Sequence, residues 1–278
     1  MKKIASNDFR TLCLRIGAAT RPIAAAEAPS IYTAFDLFLQ ALEERPRDRE
    51  RLEAECVALL ARHANPLYDQ NIKPSSMTSA GPGALMHGFQ MIAALQHDLP
   101  VLSCPSTDAR IRRFYSRMGF IARRCHQALA PILDAGTGME GEYDIIVKVW
   151  RYRNSAAVHQ HATYLVPPHF DRSVFSIMLD SRMDAAGLSQ HLFLCPADDE
   201  PNIALRVAGL RLELCRFPER IDYPIVIAGA HASVLGGEPV LHGVTPMQPD
   251  HGRFRNSLLA FVVPKRGLHT AKPNMLLH

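Results

Sequence analysis

The sequence predicts an α+β fold in which a helical N-terminal region precedes a double-stranded β-helix, or jelly-roll, of two packed antiparallel sheets. Two observations predict it. Up to about residue 135 the apolar residues recur at helical spacing; from about residue 143 they gather in short runs rich in Val, Ile, Leu and Phe, separated by Gly, Pro and Asp. No internal repeat or low-complexity tract divides the 278 residues, so they read as a single domain, 1–135 mainly helical and 140–265 forming the β core. That length is ordinary for a β barrel with flanking helices.

The first helical segment is IYTAFDLFLQAL, residues 31–42, and the second is residues 49–63, with Leu52, Cys56, Leu59 and His63 along one stripe. The stretch 65–84, rich in Pro, Ser and Gly, reads as a long loop covering the interior of the core. A longer helix is expected to start near Ser106 or Thr107, both good N-caps. Its apolar stripe is Ile111, Phe114, Met118, Ile121, Cys125, Leu129 and Ile132; Arg112, Arg113, Arg117, Arg123 and Arg124 fall on other faces and read as solvated. Seven strand-like runs follow: DIIVKVWRY, SVFSIML, HLFLC, IALRVAGLRLELC, YPIVIAG, PVLHGV and SLLAFVV. Several strands after helices argue for two packed antiparallel sheets, whose interior has room for a metal and small molecules.

Composition narrows the function classes. A hydrophobic content of 47% supports a sizeable core. A formal charge of +4 is modest, and without a nucleic-acid motif the arginines of residues 110–124 do not indicate nucleic acid. No apolar run approaches the roughly eighteen residues of a membrane span, and MKKIASNDFR lacks the apolar centre of a signal peptide; a cytoplasmic location is expected. The cysteines at 13, 56, 104, 125, 195 and 215 show no C-x-x-C pairing, which favours reduced thiols over disulfides or a zinc knuckle.

The chemistry concentrates in PPHFDRSVFSIMLD. His169 and Asp171 stand two apart in a strand-like run, so an imidazole and a carboxylate project to one side. His242, in LGGEPVLHGV, supplies the third member of a two-histidine, one-carboxylate set of the kind that leaves open positions on non-haem Fe(II). An H-x-D match alone is weak in a chain with 13 His. Downstream, Arg255 and Ser257 alternate at the start of an apolar strand, where a guanidinium can take a carboxylate bidentately and a hydroxyl can add one more hydrogen bond. His159 and His161 also alternate but have no carboxylate at the right offset, and fit a loop near the pocket mouth. His251 lies only four residues before Arg255, too close for a ligand if Arg255 sits deep in the barrel. His87, His97, His126 and His231 read as surface or satisfied core residues.

Residues from about 140 to 265 resemble the catalytic core of the Fe(II)/2-oxoglutarate-dependent dioxygenases, in the isopenicillin N synthase-like branch, through five pieces in order. VKVWRY resembles the strand whose tyrosine approaches 2-oxoglutarate, here Tyr152; HFDRSVFSIML is similar to the first metal-ligand strand. Gly187-Leu188 follows where the family has Gly-Leu, and YPIVIAGAHASVLGG resembles the strand and turn before the second histidine, with Gly229, Gly236 and Gly237 in turn-like places. HGV followed by RNS matches the family's H-x(n)-R-x-S signature. Lys148 and Trp150 depart from the Arg and Asn common in the family, and Gly243 from a bulkier basic residue. The first 130 residues show no match, so substrate identity does not transfer.

The resemblance implies Fe(II) held by His169, Asp171 and His242, with 2-oxoglutarate as cosubstrate whose far carboxylate meets Arg255, supported by Ser257 and Tyr152. It also implies a long helix bracing the outer sheet. The expected reaction consumes O2, releases succinate and CO2, and oxidises a small-molecule substrate, by hydroxylation or else desaturation or cyclisation. Asp171 fills the position a halogenase leaves for chloride. Two other readings remain: an iron oxidase of the same fold that does not use 2-oxoglutarate, against which Arg255 argues, and a non-catalytic binding module. A two-metal hydrolase lacks a second Asp/His cluster.

Overall fold

The structure, a computed structural model, describes residues 6–48, 50–51, 86–92, 106–137, 141–153, 166–183, 187–188, 192–195, 224–244 and 254–264. Most of the expected helix 49–63, the loop 65–84, the strand 203–215, and His159 and His161 lie outside them.

Helix α1 runs from Ser6 to Glu44, and helix α2 from Ala109 to Thr137. The sequence pattern shows only the second part of α1, because residues 17–28 are alanine-rich and the helix holds Pro22 and Pro29. Each proline removes an N–H from the ladder. Burial offsets this: Leu12, Ile16, Ile23, Ile31, Phe35, Phe38 and Leu42 enter the core along one side. Phe114 of α2 stacks on Phe35 and Phe38, with ring centroids at 5.3 and 4.4 Å.

The N-cap of α2 is Asp108, a correction to Ser106 or Thr107. Its Oδ1 accepts the Arg110 backbone N–H at 2.8 Å, while the Ser106 hydroxyl accepts the Asp108 N–H at 3.1 Å. Arg110 beside it holds the Asp108 carboxyl down at about 2. The expected apolar stripe of α2 is buried throughout. Its arginines divide: Arg112 and Arg113 are exposed, but Arg117 and Arg124 reach the buried Glu27 of α1 at 3.3 and 3.4 Å. A carboxylate inside the helix pair requires such partners.

The strands are β1 (Met86–Ile92), β2 (Tyr143–Arg153), β3 (Val166–His169), β4 (Phe175–Met183), β5 (Gly187–Leu188), β6 (Leu192–Cys195), β7 (Ile225–Ala228), β8 (Leu241–Val244) and β9 (Phe254–Pro264). A six-stranded sheet has the order β1-β2-β9-β4-β5, with β7 also paired to β4, and a three-stranded sheet has the order β3-β8-β6. Every pairing is antiparallel.

Alternation gives the large sheet two unlike faces. On one lie Ile145, Val147, Val149, Phe175, Ile177, Leu258, Ala260 and Val262, all in the cluster shared with the helices. Arg151 is on this face too, bonded to Asp36 of α1 and donating to Asn256 Oδ1 at 3.0 Å, while Tyr32 of α1 donates to the Asp180 carbonyl at 3.2 Å. The helices therefore cover this face. The opposite face carries Ile146, Lys148, Trp150, Ser176, Met178, Ser181, Ser257, Leu259 and Phe261 in register. Ile146 and Met178 are buried yet stand outside the helix-side cluster.

Candidate metal centre

The turn after β3 is fixed by backbone bonds. Ala230 N–H donates to the Asp171 carbonyl at 2.7 Å, His231 N–H to Ser173 at 3.0 Å, Gly229 N–H to Val174 at 3.1 Å, and Val174 N–H to Val262 at 2.7 Å. These tie residues 171–174 to a 3-10 helix, Ala230–Leu235, and to β9. Gly229 is required at this crossing, since a Cβ there would lie 2.2 Å from the Ser173 carbonyl oxygen. Gly236 ends the 3-10 turn at φ 85°, a left-handed conformation that favours glycine. The three glycines thus occupy turn or close-approach positions, Gly237 because its Cβ would run into the Phe9 ring.

On this frame Asp171 Oδ2 stands 3.2 Å from Nε2 of the buried His242. The other ring nitrogen, Nδ1, is 3.1 Å from the Val240 carbonyl oxygen. A carbonyl only accepts, so Nδ1 carries the proton and Nε2 faces Asp171, the orientation a metal-binding imidazole takes. Burial lowers the His242 pKa, but the Asp171 charge and hydrogen bond and the Val240 carbonyl outweigh it, and the value is raised. In the β3–β8 pair, His169 is the direct register partner of His242. Facing residues of an antiparallel pair have Cβ atoms about 4.5–5.5 Å apart. The side chain of His169 lies outside the described residues, and among the described residues no group of three potential metal ligands is assembled. The residues present fit a divalent ion: a bound metal would replace the proton that His242 Nε2 shares with Asp171, leaving that imidazole and carboxylate as donors, with His169 as the register partner of His242.

The cosubstrate candidates share one face of the large sheet. Arg255 of β9 pairs in register with Tyr152 of β2 and Met183 of β4, and Ser257 with Trp150 and Ser181. The side chains of Arg255 and Tyr152 lie outside the described residues. The Ser257 hydroxyl is buried, 2.9 Å from that of Ser181.

Two groups with a part here go unread in the sequence, and a third, Lys148, reads there only as a departure from the family's Arg. Ser181 and the Val240 carbonyl act only through contacts that a linear pattern does not display. Lys148 has a visible signal: in VKVWRY it alternates with Trp150 and Tyr152, so it shares their face. Its amine lies 5.2 and 5.3 Å from the ring centroids of Trp150 and Phe261. Burial pushes its pKa down to about 8, partly offset by the charge of Asp171. By contrast, Cys13 and Cys125 are free thiols raised by burial to about 11 and 12, which leaves them unreactive. Among the described residues no helix is long and apolar enough to cross a membrane.

No protein-family model and no curated protein matches the sequence. Among solved structures the chain is similar to the dioxygenase for auxin oxidation of rice, at 14% identity over 87% of this chain and 71% of that one, with a TM-score of 0.51. It is likewise similar to a full-length Neurospora crassa protein solved in complex with alpha-KG and 5-formyluracil, at 12% identity over 88% and 78%, with a TM-score of 0.52. The fold of this chain is that of the Fe(II)/2-oxoglutarate dioxygenases.

Proposed function

We propose that the protein is a non-haem Fe(II)- and 2-oxoglutarate-dependent oxygenase of a small molecule, built on a double-stranded β-helix whose two walls are the six-stranded and three-stranded sheets. The observation that carries this reading is the approach of Asp171 Oδ2 to His242 Nε2 at 3.2 Å, with His169 opposite His242 in register. His169, Asp171 and His242 would hold the metal. Fe(II) with 2-oxoglutarate supplies dioxygen activation, coupled to conversion of the cosubstrate to succinate and CO2.

The chain's own residues bind and orient. The Val240 carbonyl fixes the His242 tautomer, and the bonds of residues 229–231 hold the Asp171 turn in place. Arg255 would take the distal carboxylate of 2-oxoglutarate as a planar fork, with Tyr152 and Ser257 beside it. Ser181 keeps the Ser257 hydroxyl oriented. The N. crassa neighbour was solved with alpha-KG, which supports this choice of cosubstrate. The helices cover the outer face of the sheet, and Ile146 and Met178 are buried on the inner face.

The test is succinate formation from 2-oxoglutarate by the Fe(II)-loaded protein under air, across a library of small metabolites. Substrate-stimulated succinate release is expected. Oxidation of a substrate without consumption of 2-oxoglutarate would move the protein to the oxidase reading.

A further inference from the structure

Lys148 is a cation on the inner face whose position calls for an anion. Among the described residues it has neither a hydrogen-bond acceptor nor an ion-pair partner within reach, only the rings of Trp150 and Phe261. Lys148 is partly buried, and an ammonium held partly from water without a counter-charge is costly, which aromatic faces compensate only in part. Asp171 contributes long-range attraction, but its carboxylate is turned to His242.

The charges of the proposed site leave Lys148 over. A divalent metal and Arg255 together balance Asp171 and the 2-oxoglutarate dianion, and the two carboxylates of that dianion are taken by the metal and Arg255. Lys148 also stands apart from the Arg255 row: it lies four residues before Tyr152 on β2, about 13 Å along the strand at roughly 3.3 Å per residue. Its register partner on β9 is Leu259, not Ser257 or Arg255.

We infer that Lys148 is the substrate-recognition residue of this site and that the substrate is an organic acid, its carboxylate on the Lys148 ammonium and its apolar body against Trp150 and Phe261. The inference rests on the oxygenase reading for the identity of the site. A carboxylate gains most from an ammonium where water is scarce, and the two rings offer an apolar surface next to the charge. Uncharged analogues would leave the ammonium unpaired and bind weakly.

The experiment titrates phenylacetate, 3-phenylpropanoate and octanoate, and the corresponding amides, into the metal-loaded protein without oxygen, with and without 2-oxoglutarate. Wild type, Lys148→Met and Lys148→Arg are compared by calorimetry, with 2-oxoglutarate titrated separately into each. At least one acid is expected to bind wild type while its amide does not. Lys148→Met should weaken that acid about 30-fold or more, roughly 2 kcal/mol, with Lys148→Arg keeping part of the affinity and 2-oxoglutarate binding unchanged in all three. Binding of no acid, equal binding of acid and amide, or unchanged acid affinity in Lys148→Met overturns the inference. Loss of 2-oxoglutarate affinity in Lys148→Met with acid binding intact assigns the ammonium to the cosubstrate instead, and also overturns it. Failure of wild type to bind 2-oxoglutarate would remove the oxygenase reading, while the acid titrations would still decide the role of Lys148.

Discussion

Asp171 Oδ2 meets His242 Nε2 at 3.2 Å, joining the turn after β3 to the neighbouring strand β8. The contact needs both ends held. His242 is oriented by the Val240 carbonyl, two residues before it, and Asp171 by the Ala230 N–H that donates to its own carbonyl. The centre thus depends on backbone hydrogen bonds as much as on the side chains that would touch metal.

Gly229→Ala tests that dependence. The added Cβ would lie 2.2 Å from the Ser173 carbonyl oxygen, so the turn carrying Asp171 must shift. The expected cost is about 1–3 kcal/mol of stability, with weakened metal binding. Thermal melting and metal titration of the same variant check the two effects together, and an unchanged Tm with unchanged affinity would show that the turn is not constrained there.

Arg255→Ala isolates the cosubstrate. An unpaired carboxylate in a partly desolvated barrel should cost about 2–5 kcal/mol of 2-oxoglutarate binding, a rise in KM of about 30-fold or more. Fe(II) affinity should stay close to wild type, and Arg255→Lys should recover only part, since a point charge replaces a planar fork. Succinate formation against 2-oxoglutarate concentration gives the answer; an unmoved KM would favour an oxidase.

Phe114→Ala acts on the fold instead of the site. Phe114 is fully buried and stacks on Phe35 and Phe38 where α2 meets α1. Its truncation should destabilise the protein by about 3–5 kcal/mol. Denaturant unfolding measures this, and metal affinity of the remaining folded protein should not change, because the helices cover the face of the large sheet opposite the centre.

The division into helices and strands was legible because its signals are local: the α2 stripe from Ile111 to Ile132 is buried as its spacing predicts, and the β2 and β9 runs form neighbouring strands. Residues 6–30 of α1 were not, since an alanine-rich stretch with two prolines has little periodicity and is helical through burial of Leu12, Ile16 and Ile23. The α2 cap moved to Asp108 because three candidate cap residues stand together, and the Arg110 contact favours the last. At the centre, alternation and order in the chain singled out His169, Asp171 and His242. The pairing of Arg117 and Arg124 with Glu27 was hidden, since it joins residues far apart in the chain.

Anaerobic Fe(II) titration of wild type, His169→Ala, Asp171→Ala and His242→Ala, each shown folded by circular dichroism, tests the metal centre most directly. Wild type should bind one ion. Each variant should lose about 100-fold or more in affinity, because even the groups that merely orient metal ligands are worth about 10–100-fold. Wild-type affinity in Asp171→Ala and His242→Ala would contradict the assignment of this pair as metal ligands.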